Sequence, residues 1–94
     1  MKIVINTRHG GFGLSEEAEA KYKGILNITD PNFYPSFDCQ RNCPVLISLV
    51  EEMGDQVNSV YSRLKVIEIP DDVDWYIEEF GGREWIAEVH RTRR

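Results

Sequence analysis

The sequence predicts a single small α+β domain with the element order β-α-α-β-β-β. Three observations indicate this class: a β-branched run near the start, two amphipathic stretches in the middle, and two β-type runs joined by paired glycines. A chain of 94 residues has room for one core only. We therefore expect one domain over residues 1–94, with a sheet of about four strands, a C-terminal β-hairpin and two helices packed on one face.

The first strand is predicted at Lys2–Asn6, because three contiguous β-branched residues suit a strand that is covered on both faces. Residues 7–13 follow with three glycines, so this loop can adopt positive φ angles without steric cost. A second strand is predicted at residues 64–69, where the run is ended by a proline.

Two amphipathic helices are predicted between these strands. Ser15 is a candidate N-cap for the first helix, and Gly24 is a candidate stop. Pro44 suits the first position of the second helix, with Asn42 or Cys43 as the cap. The apolar stripes are Leu14, Ala18, Tyr22 and Ile25 in the first helix, and Leu46, Val50, Met53 and Val57 in the second.

Residues 27–42 form a long loop with turn signals and three aromatic residues, Phe33, Tyr34 and Phe37. Loops of this length often bind ligands, but their aromatic residues also serve to pin them to a core. The sequence leaves both interpretations open.

A β-hairpin is predicted near the end of the chain, from Trp75–Phe80 through the glycine pair to residues 83–89. Two glycines between alternating runs are typical of a two-residue turn, in which both central residues have positive φ. This turn predicts a register in which Ile77 faces Ile86 across the pair.

The charge balance excludes some partners. A net charge of −5 and a pI of about 4.9 argue against binding to duplex nucleic acid, which needs clustered cations. The basic tail at residues 90–94 is interpreted as an accessory. No segment is long and apolar enough to predict a membrane span, and two cysteines do not suggest a disulfide framework. We expect a cytoplasmic protein with reduced thiols.

The glycine-rich loop lies between a strand and a helix start, the arrangement in which backbone amides often bind phosphate. Its Gly11-Phe12-Gly13 run is not followed by the third glycine of the dinucleotide-binding motif, and the loop contains no Walker sequence. A purely structural turn is therefore the alternative. The candidate ligand-binding residues are Asn6, Arg8, His9, Gly10, Gly11, Phe12, Gly13 and Ser15.

The hairpin combines carboxylates with aromatic residues on both of its faces. The carboxylates indicate a solvated face, a contact surface for a basic partner or, less favoured, a metal or acid–base site. The aromatic residues that do not cover the core could meet a partner or another subunit, which predicts a homo-oligomer. The candidate partner-binding residues are Trp75, Glu78, Glu79, Glu84, Trp85, Glu88 and Arg91.

No catalytic signature, metal site or cofactor is predicted. The spacing of Cys39, Cys43, His9 and His90 matches no zinc motif and does not indicate a nucleophile with its base. A small hydrolase using Asp71, Asp72 or His90 is kept as a third alternative.

Five segments together resemble a widespread group of small bacteriophage proteins of unassigned function. They are Lys2–Asn6 and residues 10–15, 44–46, 50–52 and 64–92, including the Ile-Pro-Asp-Asp-Val-Asp-Trp run. The resemblance implies a phage accessory protein, made in the host bacterial cytoplasm, that acts on host machinery or host defence.

Two hypotheses follow for function. The first is a non-enzymatic protein that sequesters a nucleotide-type immune signal of the host at the glycine-rich loop. The second is an acidic inhibitor that blocks a host defence or nucleic-acid enzyme through the carboxylate-rich hairpin.

Overall fold

The structure is a computed structural model that describes residues 1–89. The predicted α+β class, the order of the main elements and the C-terminal hairpin are confirmed, with one short helix and one 3₁₀ turn added. No helix within residues 1–89 is long and apolar enough to cross a membrane. The elements are β1 (Lys2–Asn6), α1 (Glu16–Ile25), α2 (Pro35–Asp38), α3 (Pro44–Met53), a 3₁₀ turn (Gly54–Val57), β2 (Leu64–Glu68), β3 (Trp75–Phe80) and β4 (Arg83–Glu88).

β1 pairs antiparallel with β2 and is covered on both faces, as the sequence predicts. Because side chains alternate along a strand, Val4 faces the helices while Ile3 and Ile5 face the other way. Val4 joins the main core, and Ile3 and Ile5 join a second cluster with Ile69. The main core consists of Val4, Leu14, Ala18, Tyr22, Leu46, Leu49, Val50, Val57 and Leu64.

The hairpin of β3 and β4 packs on the second cluster. The predicted register is confirmed, with Ile77 opposite Ile86 and Trp75 opposite Glu88. Both turn glycines have positive φ, 59° and 90°, as a two-residue turn of this kind needs. Trp75, Ile77 and Ile86 lie against the second cluster. The molecule thus has three layers: helices, the β1–β2 sheet and the hairpin.

The four strands form two two-stranded sheets, which corrects the expected single sheet of about four strands. The cause lies at the free edge of β1, where alternate amides point away from β2. The Val4 amide donates to the Arg41 carbonyl at 2.8 Å, and the Asn6 amide donates to Glu84 Oε1 at 2.9 Å. A loop carbonyl and a side chain therefore occupy the places where another strand would pair.

Local signals fix most helix ends. Ser15 Oγ accepts the Ala18 amide at 3.2 Å, which confirms the predicted cap of α1. Cys43 holds the N-cap position of α3 with Pro44 at the first helical position. Gly54, with φ of 58°, ends α3.

The end of α1 differs from the prediction. The helix continues through Gly24 to Ile25, because Asn27 rather than the glycine adopts the positive φ of 53° that turns the chain. Ile25 was expected in the buried stripe, but it is exposed at the rim of a surface groove along α3.

The long loop contains α2 and divides its three aromatic residues between two roles. Phe33 stacks on Tyr22 of the core, with ring centroids 6.1 Å apart and planes at 7°. Phe37 and Tyr34 are exposed, and the Lys23 ammonium lies 5.8 Å from the Tyr34 ring.

Candidate functional site

The glycine-rich loop is packed directly against the hairpin turn. The Gly10 amide donates to the Gly81 carbonyl at 3.0 Å. A Cβ atom added to Gly82 would lie 2.2 Å from the Gly11 nitrogen, closer than two such atoms can approach. The glycines on both sides therefore let two backbones touch. This contact gives the glycine pattern a structural reason that needs no ligand.

The amides where the loop meets α1 are also used inside the protein. The Leu14 amide donates to Ser36 Oγ at 3.0 Å, and the Ser15 amide donates to the Val57 carbonyl at 2.9 Å. Ser15 Oγ itself caps α1 at the Ala18 amide. The Leu14 and Ser15 amides, which belong to the phosphate-binding hypothesis, are therefore not free to meet an outside anion.

Asn6 is fully buried at the centre of this region. Its Nδ2 atom donates to the carbonyls of Arg8 and Gly82, each at 2.7 Å, and its Oδ1 atom accepts the Arg63 amide at 2.8 Å. One side chain thus joins the loop, the hairpin turn and the start of β2. Asn6 holds these segments together and has no surface to offer a ligand.

The other loop candidates contact the protein as well. His9 lies beside the hairpin turn, where its Nδ1 atom would be 3.0 Å from a Cβ on Gly81. The Phe12 ring lies 3.7 Å from the Arg41 guanidinium carbon. The Gly13 carbonyl accepts a buried hydroxyl hydrogen bond of 2.7 Å.

Arg8 and His9 are both exposed, and Arg8 lies at a small cavity. With Thr7 and Arg63 it lines a cavity of about 250 Å³. Its Nη1 atom donates to the Val60 carbonyl at 3.4 Å, which is a weak contact. Two arginine residues line this small cavity, and arginine side chains are suited to binding a phosphate-sized group.

Glu84, a predicted partner-binding residue, is instead engaged within the fold. Its side chain is 9% exposed and pairs with Arg41 through two contacts, Oε1 to Nη1 at 2.5 Å and Oε2 to Nη2 at 2.8 Å. Oε1 also accepts the Asn6 amide, and the guanidinium lies over Phe12. The sequence did not predict this role of Arg41, because the residue lies in the polar long loop, 43 positions from its partner.

The outward side of the hairpin is the exposed face of this layer. We call it the hairpin outer face. Phe80 is 75% exposed, Tyr76 47% and Trp85 42%, although all three are large aromatic residues. Alternation and the strand register place its members on one side: Tyr76, Glu78, Phe80, Arg83, Trp85 and Ala87.

Glu78 lies at the centre of the hairpin outer face. Trp85 Nε1 donates to Glu78 Oε2 at 2.8 Å, and the Tyr76 hydroxyl donates to Oε1 at 3.2 Å. This hydrogen bond and the carboxylate charge raise the pKa of Tyr76. The two aromatic rings are thereby held in fixed positions around one negative charge.

The remaining hairpin candidates have separate positions. Trp75 faces inward onto the second cluster, and Glu88 opposite it is exposed. Glu79 Oε2 accepts the Gly82 amide at 2.8 Å and so closes the turn. Arg91 lies outside the described residues, as does His90. The structure therefore brings Glu78 and Trp85 together and separates them from the other candidates.

Asp71, in the acidic segment before the hairpin, is engaged within the protein. Asp71 pairs with the Met1 ammonium at 2.5 Å, and the resulting hydrogen bond and charge lower the pKa of Asp71. Within residues 1–89 no three His, Cys, Asp or Glu side chains are grouped so that they could hold a metal ion.

Comparisons with protein-family models, curated proteins and solved structures gave no match to this chain. The resemblance to small bacteriophage proteins stays a prediction from the sequence.

Proposed function

We propose that the protein binds a basic segment of another protein through the hairpin outer face and acts as a non-enzymatic inhibitor of that partner. The observation that carries the proposal is the exposed group of Tyr76, Phe80 and Trp85 around Glu78. Large aromatic residues are enriched at protein interfaces, where Tyr and Trp supply much of the binding energy.

The geometry suits an arginine side chain of the partner. A guanidinium group can stack on an aromatic ring and pair with a carboxylate at the same time. Trp85 and Glu78 are already hydrogen bonded to each other, so both binding elements are held in place before the partner arrives. The net charge of −5 favours approach of a basic surface.

The bacteriophage resemblance supports a partner from the bacterial host, as a component of defence or an enzyme of nucleic-acid metabolism. Such enzymes present basic grooves to phosphates, and an acidic protein can occupy the same groove. The aromatic residues of the hairpin outer face would add apolar contacts, which a phosphate group in the same groove cannot make.

The proposal is tested by titrating the protein with a ten-residue peptide of alternating arginine and serine, using calorimetry at low and at moderate salt. We expect binding that weakens as salt rises, because the charges are exposed. Glu78→Lys should remove binding. Glu52→Lys, an equal charge change on the exposed side of α3, should retain most of it.

Two results would overturn this function. One is no difference between the arginine peptide and a matching glutamate peptide. The other is a dimeric wild-type chain in light scattering that becomes monomeric on Phe80→Ala, because the occupant of the face would then be a second copy.

A second candidate function is anion binding restricted to the cavity lined by Arg8 and Arg63. The cavity between Arg8 and Arg63, at about 250 Å³, would bind one phosphate group of a nucleotide-type signal of the host. Calorimetry against cyclic and ADP-ribose-type nucleotides tests it. Binding that survives Glu78→Lys and is lost in Arg63→Ala would favour this candidate over the protein-binding function.

A further inference from the structure

A cavity of about 510 Å³ lies between the end of α1, the loop that carries α2 and the start of α3. We call it the cysteine pocket. Its walls combine apolar side chains and both thiols of the chain with three polar residues of the loop; the apolar side chains and thiols are those of Tyr22, Leu26, Ile28, Phe33, Cys39 and Cys43. It is remote in sequence from the hairpin outer face and shares none of its residues.

Cys43 has a hydrogen-bonding partner in this pocket. The Tyr22 hydroxyl lies 3.3 Å from Cys43 Sγ. The Tyr22 ring is buried and stacked on Phe33, which fixes the position of the hydroxyl. Burial and the hydrogen bond to Cys43 raise the pKa of Tyr22, so the phenol keeps its proton beside the sulfur.

The two thiols differ in their ionisation. Burial raises the pKa of Cys43, but the Tyr22 hydroxyl and the first-turn amides of α3 outweigh it and hold that pKa below its usual value. Burial raises the pKa of Cys39 to about 11, which Arg41 only partly offsets. The two thiols of the pocket therefore differ, with the pKa lowered at Cys43 and raised at Cys39.

We propose that the cysteine pocket is a covalent modification site for apolar α,β-unsaturated carbonyl compounds, with Cys43 as the nucleophile. The sulfur lone pair forms a C–S bond to the β-carbon, and the π pair of the C=C bond moves to the carbonyl oxygen as an enolate. The proton that leaves the thiol returns, through Tyr22 or water, to the α-carbon. The product is a thioether, and no oxidant or reductant is needed. Leu26, Ile28 and Phe33 select compounds with an apolar tail.

The test uses the wild-type chain and two maleimides, N-ethyl and N-hexyl, with adducts located by peptide mass spectrometry. Glutathione provides the intrinsic reactivity of each reagent. We expect one adduct, at Cys43, while Cys39 reacts only after unfolding in urea. The hexyl-to-ethyl rate ratio should exceed that of glutathione by about tenfold, because the additional CH₂ groups enter the apolar pocket.

Three variants separate the contributions. Tyr22→Phe keeps the stacked ring and removes the donor, so the Cys43 rate should fall about threefold for each tenfold loss of thiolate. Its pH–rate profile should move to higher pH, with Cys39 and Asp38 as the other titratable groups lining the pocket. Cys39→Ser should keep the adduct at Cys43, whereas Cys43→Ser should remove it. Circular dichroism checks that each variant is folded.

The wild-type measurement alone can overturn the proposal. Equal labelling of Cys39 and Cys43 in the folded chain would show that no thiol is activated. A hexyl-to-ethyl ratio equal to that of glutathione would show that the pocket does not receive the tail.

Discussion

The glycine-rich loop and the hairpin outer face differ in how their polar and apolar groups are used. In the loop region, Asn6 is fully buried and bonded to three segments, and the Gly10 amide is bonded to the hairpin turn. On the outer face, three aromatic rings lie open to solvent around Glu78. The two regions meet at the same turn, yet one is a structural joint and the other is a surface exposed to solvent.

Glycine-rich patterns and exposed aromatic residues therefore differ as indicators of a binding site. Glycines and an asparagine near a helix start are equally consistent with anion binding and with close backbone packing. Exposed aromatic side chains on a strand that already has a buried face have no comparable internal use. We therefore assign the proposed binding to the hairpin outer face rather than to the loop.

The largest effect is expected at the joint, from Glu84→Ala. Removing this carboxylate leaves Arg41 without its partner and the Asn6 amide without an acceptor, and we expect a loss of about 3 to 5 kcal/mol in the free energy of unfolding. Urea denaturation measures it. Glu88→Ala, on the exposed end of the same strand, should cost under about 0.5 kcal/mol. Equal losses of unfolding free energy in the two variants would mean that Glu84 is an ordinary surface residue.

A pair of glycine substitutions should have opposite signs. Gly82→Ala places a Cβ atom 2.2 Å from the Gly11 nitrogen at a φ of 90°, and we expect about 2 to 4 kcal/mol of destabilisation from overlap and strain. Gly24→Ala meets nothing within 4 Å in the last turn of α1, and it should stabilise by about 0.5 to 1 kcal/mol. Thermal unfolding compares the two. A tolerated alanine at position 82 would mean that the loop and the turn are not in contact.

Phe80→Ala should affect binding and not folding. The ring is 75% exposed, so the free energy of unfolding should change by no more than about 0.5 kcal/mol. Affinity for the arginine peptide should fall about tenfold if the ring is a main binding contact. Phe37→Ala removes an equally exposed ring from α2 and should leave affinity unchanged. Similar losses in both variants would remove the hairpin outer face from the proposal.

The smallest effect concerns the ionisation of Tyr76. Its hydrogen bond to Glu78 and the charge of that carboxylate raise the pKa of the phenol above 10.0 in the folded state. The associated contribution to stability is complete below pH 10 and is lost as the pH rises through the raised value. An NMR titration of the tyrosine rings should show this shift, and Glu78→Gln should reduce it. An unchanged titration in the variant would mean that Tyr76 is not bonded to Glu78 in solution.

Local patterns were sufficient to predict several elements of the fold. The β-branched run gave β1, the glycine pair gave the hairpin register, and Ser15 gave the cap of α1, since each depends on neighbours in sequence. The separation into two sheets could not be predicted, because it depends on the Arg41 carbonyl and the Glu84 side chain meeting β1 across long sequence distances. Contacts of this kind do not produce a periodic pattern in the sequence.

The candidate site was predicted in part for the same reason. Alternation puts Tyr76 and Phe80 with Trp85, but aromatic residues occur on both hairpin faces, so the sequence did not show which face is buried. Pro44 predicted where α3 begins and hence that Cys43 could cap it. The approach of the Tyr22 hydroxyl to that sulfur is a tertiary contact, 21 positions away, without a sequence signal.

The joint between β1 and the hairpin also has a consequence for how the chain acquires its structure. The Asn6 hydrogen bonds reach Glu84 and Gly82 across 78 and 76 positions, and closing such long loops has a high entropic cost before any contact is formed. β1 meets β2 across almost as many positions, so we expect both pairings of β1 to form late, after the local contacts of the helices and of the hairpin. Until the hairpin docks, Ile3, Ile5 and Ile69 are exposed to water. We therefore expect partly folded chains to aggregate most readily at this stage.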